Sequence, residues 1–532
     1  MSSSTLNDVE SRTLTEGKED LEAGLPDRHV SKEAISDQDI TQVPRHPSLA
    51  DQEQDGDSDE SVIIVNWEGT DDPKNPRNWS FRKKWGAIAI VSAFTFISPI
   101  ASSMVAPASA QIASEMGIRS SVVTAMTISV FILAYAIGPL FLGPLSEIYG
   151  RSRVLQIANM WFFAWNLGCG FAQNTAELIV FRFFAGLGGS APLSIGGGVI
   201  GDLFHPQQRG QAIAIYTLAP LVGPTVAPVA GAWIAERSTW RWVFWATTIA
   251  DACVQAMGLL FLKETYGPVL LERKAATIRA SLSAEKRTHT RVRTVFESDD
   301  RNGRAILQRA LTRPFAMFAR EPILDLISIY TAFLYGLLYL FITTLPEIFQ
   351  QTYHQPIGLA GLHYIALGLG LFTGAQIGAR VLDRSYKYFT AKNGGVARPE
   401  YRLPQMMPAT LILPAGLLLA GWTAQNHVFW FAPDVGIYLV GLSIILMNLS
   451  LQSYIIDTFT LFAASALAAS TFLRSLAGFG FPLFAPAMFH SLGYGKGDTV
   501  LAAVAFALAP VPFFFWKFGE RIRGMSKTAH KA

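Results

Sequence analysis

The chain has 532 residues, of which 50% are hydrophobic and only 16% are charged, and its formal net charge is +3. A soluble chain is usually nearer a quarter charged, so this composition excludes an ordinary soluble domain. Apolar runs of about twenty residues, the length that crosses the hydrocarbon core of a bilayer, recur along most of the sequence. The sequence therefore predicts an all-α, polytopic membrane protein.

Other classes of protein find little support in the sequence. The two cysteines, Cys169 and Cys253, lie within predicted spans and are interpreted as small core residues, which leaves no case for a disulfide or a metal site. No phosphate-binding loop, zinc spacing or nucleophile elbow interrupts the spans. We therefore expect no enzyme activity, no cofactor, no metal and no nucleic-acid partner.

The first 80 residues are rich in Ser, Asp, Glu and Gln, and no aromatic residue precedes Trp67. Such a segment cannot bury enough apolar surface to fold, so we expect a disordered tail. A basic cluster followed by Trp85 is typical of a membrane-interface anchor that keeps this end in the cytosol. Because the start of the chain is hydrophilic, we expect no cleavable signal peptide.

Twelve apolar spans are predicted. They cover about 85–107, 121–143, 154–173, 178–201, 210–235 and 241–263, then 324–348, 358–381, 404–425, 428–454, 459–488 and 497–518. Basic residues concentrate between the sixth and seventh spans, between the eighth and ninth, and after the last, and the positive-inside rule places these segments in the cytosol. The predicted domains are a tail (1–80), a first bundle (81–263), a cytosolic central segment (264–323), a second bundle (324–520) and a cytosolic tail (521–532).

A charged stretch that reads GPLSEIYGRSR lies between the second and third predicted spans. Gly143 would let helices approach closely, and Gly150 permits a backbone conformation that other residues resist. Glu147 and Arg151 place opposite charges close together in a tight polar turn, and Asp202 could pair with Arg151. Such a cluster can hold helix ends together in one conformation and release them in another, which predicts a gate. The alternative is an ordinary charged turn.

A weaker counterpart of this stretch follows the eighth predicted span, where the sequence reads GARVLDR. Asp383 and Arg384 keep an acidic and a basic residue near a glycine at the corresponding position of the second half. The match indicates an internal repeat, but it is too weak to stand alone.

Two ionisable residues lie inside predicted spans of the first half. Arg182 is in the fourth span, where a charged side chain costs about 2.5–3.5 kcal/mol and needs a partner or water. Asp251 is near the middle of the sixth span, where a carboxylate can take up and release a proton. We therefore expect Asp251 in proton coupling. For Arg182 we expect a functional role inside the span, and the alternative is that it snorkels to the membrane surface. The sequence does not indicate a role for Arg474, which lies in the eleventh span.

The fifth predicted span repeats small and helix-bending residues, namely Gly223, Pro224, Pro228 and Gly231. Prolines remove backbone hydrogen bonds and bend a helix, whereas glycines let a neighbouring helix slide close. The pattern therefore predicts a bent helix with a close partner, and the alternative is a packing helix without a role in transport.

Four polar side chains in the second half are candidates for a substrate cavity. Tyr335 and Tyr339 in the seventh span present rings and hydroxyls partly on one face, and Asn448 and Gln452 in the tenth span carry amides. Binding cavities use such groups to orient a substrate. Core packing and hydrogen bonding between helices are the alternatives.

Several of these motifs resemble signatures of the major facilitator superfamily. The pattern G-x-L-S-E-x-x-G-R-x-R is similar to the family's loop between its second and third helices. Arg182 before a glycine-rich run is similar to its fourth-helix signature, and G-P-x-x-x-P-x-x-G in the fifth span is similar to the antiporter signature. The resemblance implies the major facilitator fold, with twelve transmembrane helices in two six-helix bundles. It also implies that Arg182 faces a central cavity and takes part in proton coupling.

The sequence resembles in particular the fungal twelve-span drug:proton antiporters. That resemblance implies a plasma-membrane exporter of amphipathic drugs, toxins or secondary metabolites, which uses protons, acts as a monomer in the bilayer and keeps both termini cytosolic. Alternating access of a midplane site would be the mechanism. The alternatives are a polyamine exporter or nutrient-uptake carrier of the same fold, and a membrane receptor that has lost transport. A polyamine site would require cavity carboxylates, and the predicted spans supply few besides Asp251.

Overall fold

The computed structural model describes residues 61–205, 208–282, 290–296, 303–524 and 526 of the chain. These residues are mostly helical, which confirms the predicted all-α class. Residues 1–60, and the disorder predicted for them, lie outside the described residues.

The first half of the chain forms the helices that precede residue 264. They are α1 (Phe81–Ser103), α2 (Ser109–Glu115), α3 (Ser121–Tyr149), α4 (Arg151–Cys169), α5 (Thr175–Gly189), α6 (Ala191–Leu203), α7 (Arg209–Arg237) and α8 (Arg241–Phe261). Helices α5 and α6 follow one another across Ser190 and together make one span, Thr175–Leu203. Short 3-10 turns cover Pro76–Asn78 and Ala106–Ala108.

The central segment holds more regular structure than the expected loop. It contains α9 (Gly267–Ser281), a strand β2 (Thr290–Thr294) and α10 (Gly303–Phe318), and β2 pairs with β1 (Ser61–Val65). Val65 and Val292 from the two strands and Ala275 from α9 form a small buried apolar cluster. This burial stabilises a short sheet whose residues, in SVIIV and TRVRT, include several β-branched ones.

The segment from residue 66 to 80 is ordered, whereas the sequence predicted disorder as far as residue 80. Asp72 accepts hydrogen bonds from the backbone amides of Glu68 (3.0 Å) and Lys74 (2.8 Å). Burial raises the pKa of Asp72, but these two hydrogen bonds outweigh it and hold the pKa below its usual value. Asn78 donates to the Asp72 carbonyl (3.0 Å), and Asn75 caps the turn that follows. Residues 72–79, which read DPKNPRNW, therefore form a hydrogen-bonded entry to α1.

The second half repeats the helical pattern. It contains α11 (Pro322–Glu347), α12 (Ile357–Leu362), α13 (Tyr364–Lys392), α14 (Met406–Gln425), α15 (Phe431–Thr458), α16 (Ala463–Leu508) and α17 (Val511–Gly524). A π turn covers Ile348–Thr352, and 3-10 turns cover Pro399–Arg402 and Thr460–Phe462.

Ten stretches of the described chain are long and apolar enough to cross a membrane. The last of them, Ala463–Gly524, has 62 residues and is broken by Gly493, whose φ of 76° is not helical, so it supplies two spans. Helix α4 is not among the ten because two arginines and several side-chain amides lower its hydropathy. With α4 and the break at Gly493, the structure has the twelve predicted spans.

The two halves meet mainly along three pairs of helices. Helix α3 of the first half packs along α16 of the second, and α7 packs against α12 and α13. Helix α10 of the central segment contacts both α3 and α16. The junction between the halves is where a transported molecule would pass, so its side chains are the first candidates for a site.

Candidate functional site

The turn in the charged stretch after the second span is shorter than the sequence predicts. Helix α3 continues to Tyr149 and α4 begins at Arg151, so only Gly150 separates them. Gly150 has φ 105°, a value that favours glycine, and a Cβ there would overlap Oε2 of Glu264. The close helix approach predicted at Gly143 is wrong, because a Cβ there would meet no described atom within 4 Å.

Arg151 is the centre of a charged cluster, here called the arginine cluster, at the ends of α3, α4 and α6. Its Nη2 lies 3.5 Å from Oε1 of Glu147, and its Nε lies 3.5 Å from Oδ2 of Asp202. Its Nη1 donates to the Ser146 hydroxyl at 2.7 Å, and the side chain packs against Gly198, where a Cβ would lie 2.9 Å from the guanidinium carbon. The structure thus brings together the three charges that the sequence singled out.

Two further residues of this cluster were not found from the sequence. Glu264, which follows the sixth span, is buried, and its Oε1 accepts the backbone N–H groups of Arg151 (2.9 Å), Thr265 (3.0 Å) and Tyr266 (3.0 Å). The Tyr266 ring lies 4.7 Å from the Arg151 guanidinium carbon. Glu264 therefore ties the first turn of α4 to the chain that leaves α8. A lone acidic residue just past a span was the only signal available for it.

The second half has a matching cluster, but its arginine differs from the predicted one. Arg402 lies just before α14, and its Nε is 2.8 Å from Oδ2 of Asp457 at the end of α15. Its Nη1 lies 3.4 Å from Asp383 on α13, and its guanidinium carbon is 4.0 Å from the Tyr386 ring centroid. Among the described residues Arg402, and not the neighbouring Arg384, therefore pairs with Asp383. Each half thus has an arginine that pairs with two carboxylates at equivalent places, although the local sequence match between the halves is weak.

Arg182 is completely buried inside the first half, so the snorkelling alternative is wrong. Its guanidinium donates to the carbonyls of Ala101 (3.2 Å), Ser102 (3.1 Å) and Ile128 (3.1 Å), and it lies 5.1 Å from the Phe131 ring centroid. Two of these carbonyls are in the last turn of α1, where the helix dipole favours a cation. Backbone carbonyls therefore supply the partners that a charged residue in a span requires.

Asp251 is also fully buried, on the face of α8 that packs against α4. Its Oδ1 accepts from Nδ2 of Asn159 at 3.0 Å, and the same amide donates to Oε1 of Gln255 at 2.9 Å. In the described part of the chain, the Oδ2 of Asp251 is buried without a hydrogen-bond partner. Phe244, whose ring lies 5.6 Å from the Arg182 guanidinium carbon, precedes Asp251 by about two turns. Asp251 thus lies within the first half and away from the junction.

Helix α7 carries the repeated glycines and prolines, and one of its faces lies directly on α1. A Cβ at Gly223 would lie 3.4 Å from the Phe96 carbonyl oxygen, and one at Gly231 would overlap the Met104 carbonyl oxygen. Pro224 and Pro228 lie between these glycines and are buried. The glycines are therefore required for the close approach that the sequence predicted.

The opposite face of α7 contacts the second half. A Cβ at Gly361 of α12 would overlap the Cβ of Ala232, and the Gly358 backbone N–H donates to the carboxylate of Glu236. Since Arg209, at the start of α7, lies next to the end of α6, this contact is at the end of α7 remote from the arginine cluster. The two halves are thus held together at this end.

Tyr335 and Tyr339 form part of a chain of polar side chains across the junction. The Tyr339 hydroxyl lies 3.4 Å from the Ser102 hydroxyl, whose backbone carbonyl binds Arg182. The Tyr335 and Tyr339 rings are 5.0 Å apart, and the Arg474 guanidinium carbon lies 5.0 Å from the Tyr335 ring centroid. Two arginines, one from each half, thus lie at the ends of this chain.

The amides predicted for the cavity are not joined to these tyrosines in the described part of the chain. Asn448 has a buried Oδ1 without a hydrogen-bond partner, and Gln452 is half-buried on the same helix. The sequence also missed Tyr135 of α3, whose hydroxyl lies 2.5 Å from that of Ser98 on α1. From the sequence alone, a tyrosine that hydrogen-bonds to a neighbouring helix in an apolar span cannot be distinguished from one that only packs in the core.

In the described part of the chain the site consists of buried arginines, tyrosines and charge pairs. In the described ranges no three His, Cys, Asp or Glu side chains come together as a metal site. Cys169 is buried and Cys253 is exposed, and neither is in a disulfide. Buried arginines, tyrosines and close helix contacts across a junction are what a carrier with two conformations requires.

Comparison with known proteins confirms the family and the fold. The Major Facilitator Superfamily model matches residues 91–482. Efflux pump vrtL from Penicillium aethiopicum is 43% identical over 474 residues, which cover 89% of this chain and 93% of that protein. Efflux pump radE from Floropilus chiversii is 41% identical over 466 residues, with coverages of 86% and 85%.

Solved structures give the same fold at low sequence identity. The partially occluded inward-open conformation of the xylose transporter XylE from E. coli aligns with a TM-score of 0.61 at 14% identity, over 82% of this chain and 97% of that one. An inward-facing bacterial homologue of the human lysosomal transporter Spinster aligns with a TM-score of 0.60 at 13% identity, over 84% and 99%. The prediction of a major facilitator fold with two six-helix bundles is confirmed.

Proposed function

Because the chain belongs to the major facilitator superfamily, we propose that it is a secondary transporter that exports amphipathic drugs, toxins or secondary metabolites. The observation that carries the proposal is α7, whose glycines lie on α1 while its other face meets the second half. The matching G-P-x-x-x-P-x-x-G pattern resembles that of antiporters, and the relatives vrtL and radE are named efflux pumps. No catalytic step is part of the proposed cycle.

The proposed cycle is alternating access, with the two arginine-centred clusters as gates. Arg151 links the ends of α3, α4 and α6, and Arg402 links α13 to the end of α15, through carboxylates at 2.8–3.5 Å. Because each cluster lies within one half, its ion pairs can separate when the helices of that half shift, and they can form again afterwards. At the other end, Glu236 and the contact of Ala232 with α12 would separate as the outer side opens.

Protons entering the cell are proposed to drive the export. Asp251 is the proposed proton-binding residue, because its Oδ2 is buried and lacks a partner while Asn159 holds Oδ1. Protonation of Oδ2 would remove a buried charge from the contact of α8 with α4. Arg182 would contribute by fixing the end of α1 against α3 and α5, so that a change near α8 reaches the junction.

The proposed setting is the plasma membrane, with a monomer spanning the bilayer and both termini in the cytosol. The basic central segment and the basic tail support that orientation. The proposed domains keep the predicted first bundle (81–263) and second bundle (324–520), between which lies the central segment with α9 and α10.

The proposal is tested by measuring the accumulation of a broad panel of amphipathic compounds in yeast cells that lack their own exporters. Cells with the intact protein are compared with cells carrying Asp251→Asn, with and without a protonophore. Asp71→Asn is the matched control, because Asp71 is exposed and precedes the first span. We expect lower accumulation with the intact protein and with the control, and loss of the effect with the protonophore or Asp251→Asn.

The possible results separate the parts of the proposal. Export that persists with Asp251→Asn would place the proton on another residue. Export that persists with the protonophore would contradict proton coupling. Unchanged accumulation of every compound would contradict export itself and favour a non-transporting receptor.

A further inference from the structure

Arg474 lies in the middle of a membrane span at the junction of the two halves. It is about three turns from the start of α16, and Tyr335 is about three and a half turns from the start of α11. One turn beyond Arg474, a Cβ at Gly478 would lie 2.9 Å from the Tyr335 ring and 3.1 Å from Ile132 of α3. The face of α16 that carries Arg474 is therefore turned toward α3 and α11.

The Arg474 guanidinium has no hydrogen-bonding partner in the described part of the chain. Its ring contact with Tyr335 is present, but no hydrogen bond or ion pair reaches it, and its Nε is buried without an acceptor. Arg182 in the other half differs, since three carbonyls accept from it. A guanidinium carries five N–H donors, and leaving them unpaired inside a span is unfavourable.

The surroundings of Arg474 suit an anionic ligand. Tyr335 covers one face of the guanidinium and leaves its N–H edges available, and such an edge binds a carboxylate with two parallel hydrogen bonds. The hydroxyls of Tyr339 and Ser102, 3.4 Å apart, provide further hydrogen-bonding groups along the junction. Among the described residues no carboxylate bonds to Tyr335, Tyr339 or Arg474, so a cationic ligand would find no counter-charge beside them.

We propose that Arg474 binds the anionic group of the transported molecule, and that the transporter prefers organic acids over neutral or cationic compounds of the same shape. This proposal rests on the proposed export function, because it names the substrate class of the same junction. It also argues against the polyamine alternative, since a polyamine would meet a fixed positive charge.

The test uses three probes that share one aromatic ring system and differ only in charge. They are 9-anthracenecarboxylic acid, 9-anthracenemethanol and 9-(aminomethyl)anthracene, and their fluorescence reports binding to the full-length chain in nanodiscs. We expect the carboxylate to bind the intact protein about tenfold or more tightly than the alcohol, and the amine to bind weakest.

Two substitutions and one control assign that preference to Arg474. R474Q is expected to reduce the ratio of carboxylate to alcohol affinity to about one, whereas R474K retains part of it because the charge remains. R384Q is the matched control, since Arg384 is an exposed arginine on α13, and it is expected to leave the ratio unchanged. If R474Q does not fold, the ratio in the intact protein and in R474K still decides the question.

A carboxylate preference that R474Q leaves intact would overturn the proposal, as would an intact protein without any preference for the carboxylate. Export of the neutral probe in yeast, combined with no carboxylate preference, would overturn this inference and leave the export function standing. Failure to move any compound of any charge would overturn the export function itself.

Discussion

Replacement of Glu264 tests whether a buried carboxylate fixes the start of α4. Its Oε1 accepts three backbone N–H groups, from Arg151, Thr265 and Tyr266, at 2.9–3.0 Å, and the residue is 8% exposed. In Glu264→Ala these three donors lose their acceptor together. In Glu264→Gln one carbonyl oxygen can still take the same place.

The expected cost follows from the hydrogen bonds that are lost. A hydrogen bond to a charged group contributes about 1.5–3 kcal/mol, and water at the membrane surface can replace part of it. We therefore expect Glu264→Ala to lower the free energy of unfolding by about 3–5 kcal/mol. Glu264→Gln is expected to cost about 1–2 kcal/mol, because it loses the charge but keeps an acceptor.

The assay is denaturant unfolding of the purified protein in mild detergent. Glu520→Ala is the control, because Glu520 is exposed and its ion pair with Arg398 at 2.7 Å should contribute less than about 1 kcal/mol. The reasoning is refuted if Glu264→Ala destabilises the protein no more than Glu520→Ala, or no more than Glu264→Gln.

Three further substitutions test other contacts. Gly231→Ala would overlap a carbonyl of α1 and is expected to reduce the yield of folded protein in size-exclusion chromatography, whereas Gly197→Ala has no described atom within 4 Å and should leave it unchanged. Arg402→Gln is expected to slow substrate flux in vesicles as strongly as Arg151→Gln, because each arginine pairs with carboxylates from two other helices; a normal rate would count against paired gates. In Arg182→Lys the compact ammonium group does not reproduce the planar guanidinium that donates to three carbonyls, so we expect flux to fall about tenfold or more. Wild-type flux in this variant would contradict the role given to the Arg182 guanidinium.

Much of the fold could be predicted because span length and loop charge are local properties of the sequence. The pairing of Arg151 with Glu147 could be predicted as well, because the two residues are four apart in one short charged stretch. The turn was harder to place, because α3 continues through the polar residues of this stretch to Tyr149 and ends only at Gly150, whose φ is positive.

The remaining site residues depend on contacts between distant parts of the chain. Glu264 accepts from one backbone amide that is 113 residues away, that of Arg151, and a backbone amide leaves no mark in a sequence. Arg402, and not Arg384, pairs with Asp383, because the 3-10 turn before α14 places Arg402 between Asp383 of α13 and the end of α15. Arg474 could be noticed from the sequence, but only the structure shows that, among the described residues, its guanidinium has a ring contact and no hydrogen-bonding partner.

The central claim, proton-driven export, is tested most directly by reconstituting the purified chain in liposomes with a lumen more acidic than the bath. Protons that leave the lumen through the transporter should then draw a fluorescent substrate inward against its gradient, and collapse of the pH difference should release it. A passive weak acid is excluded from such a lumen, so the expected accumulation has the opposite sign to leakage. Accumulation equal to that of protein-free liposomes, or accumulation only when the lumen is alkaline, would contradict the account.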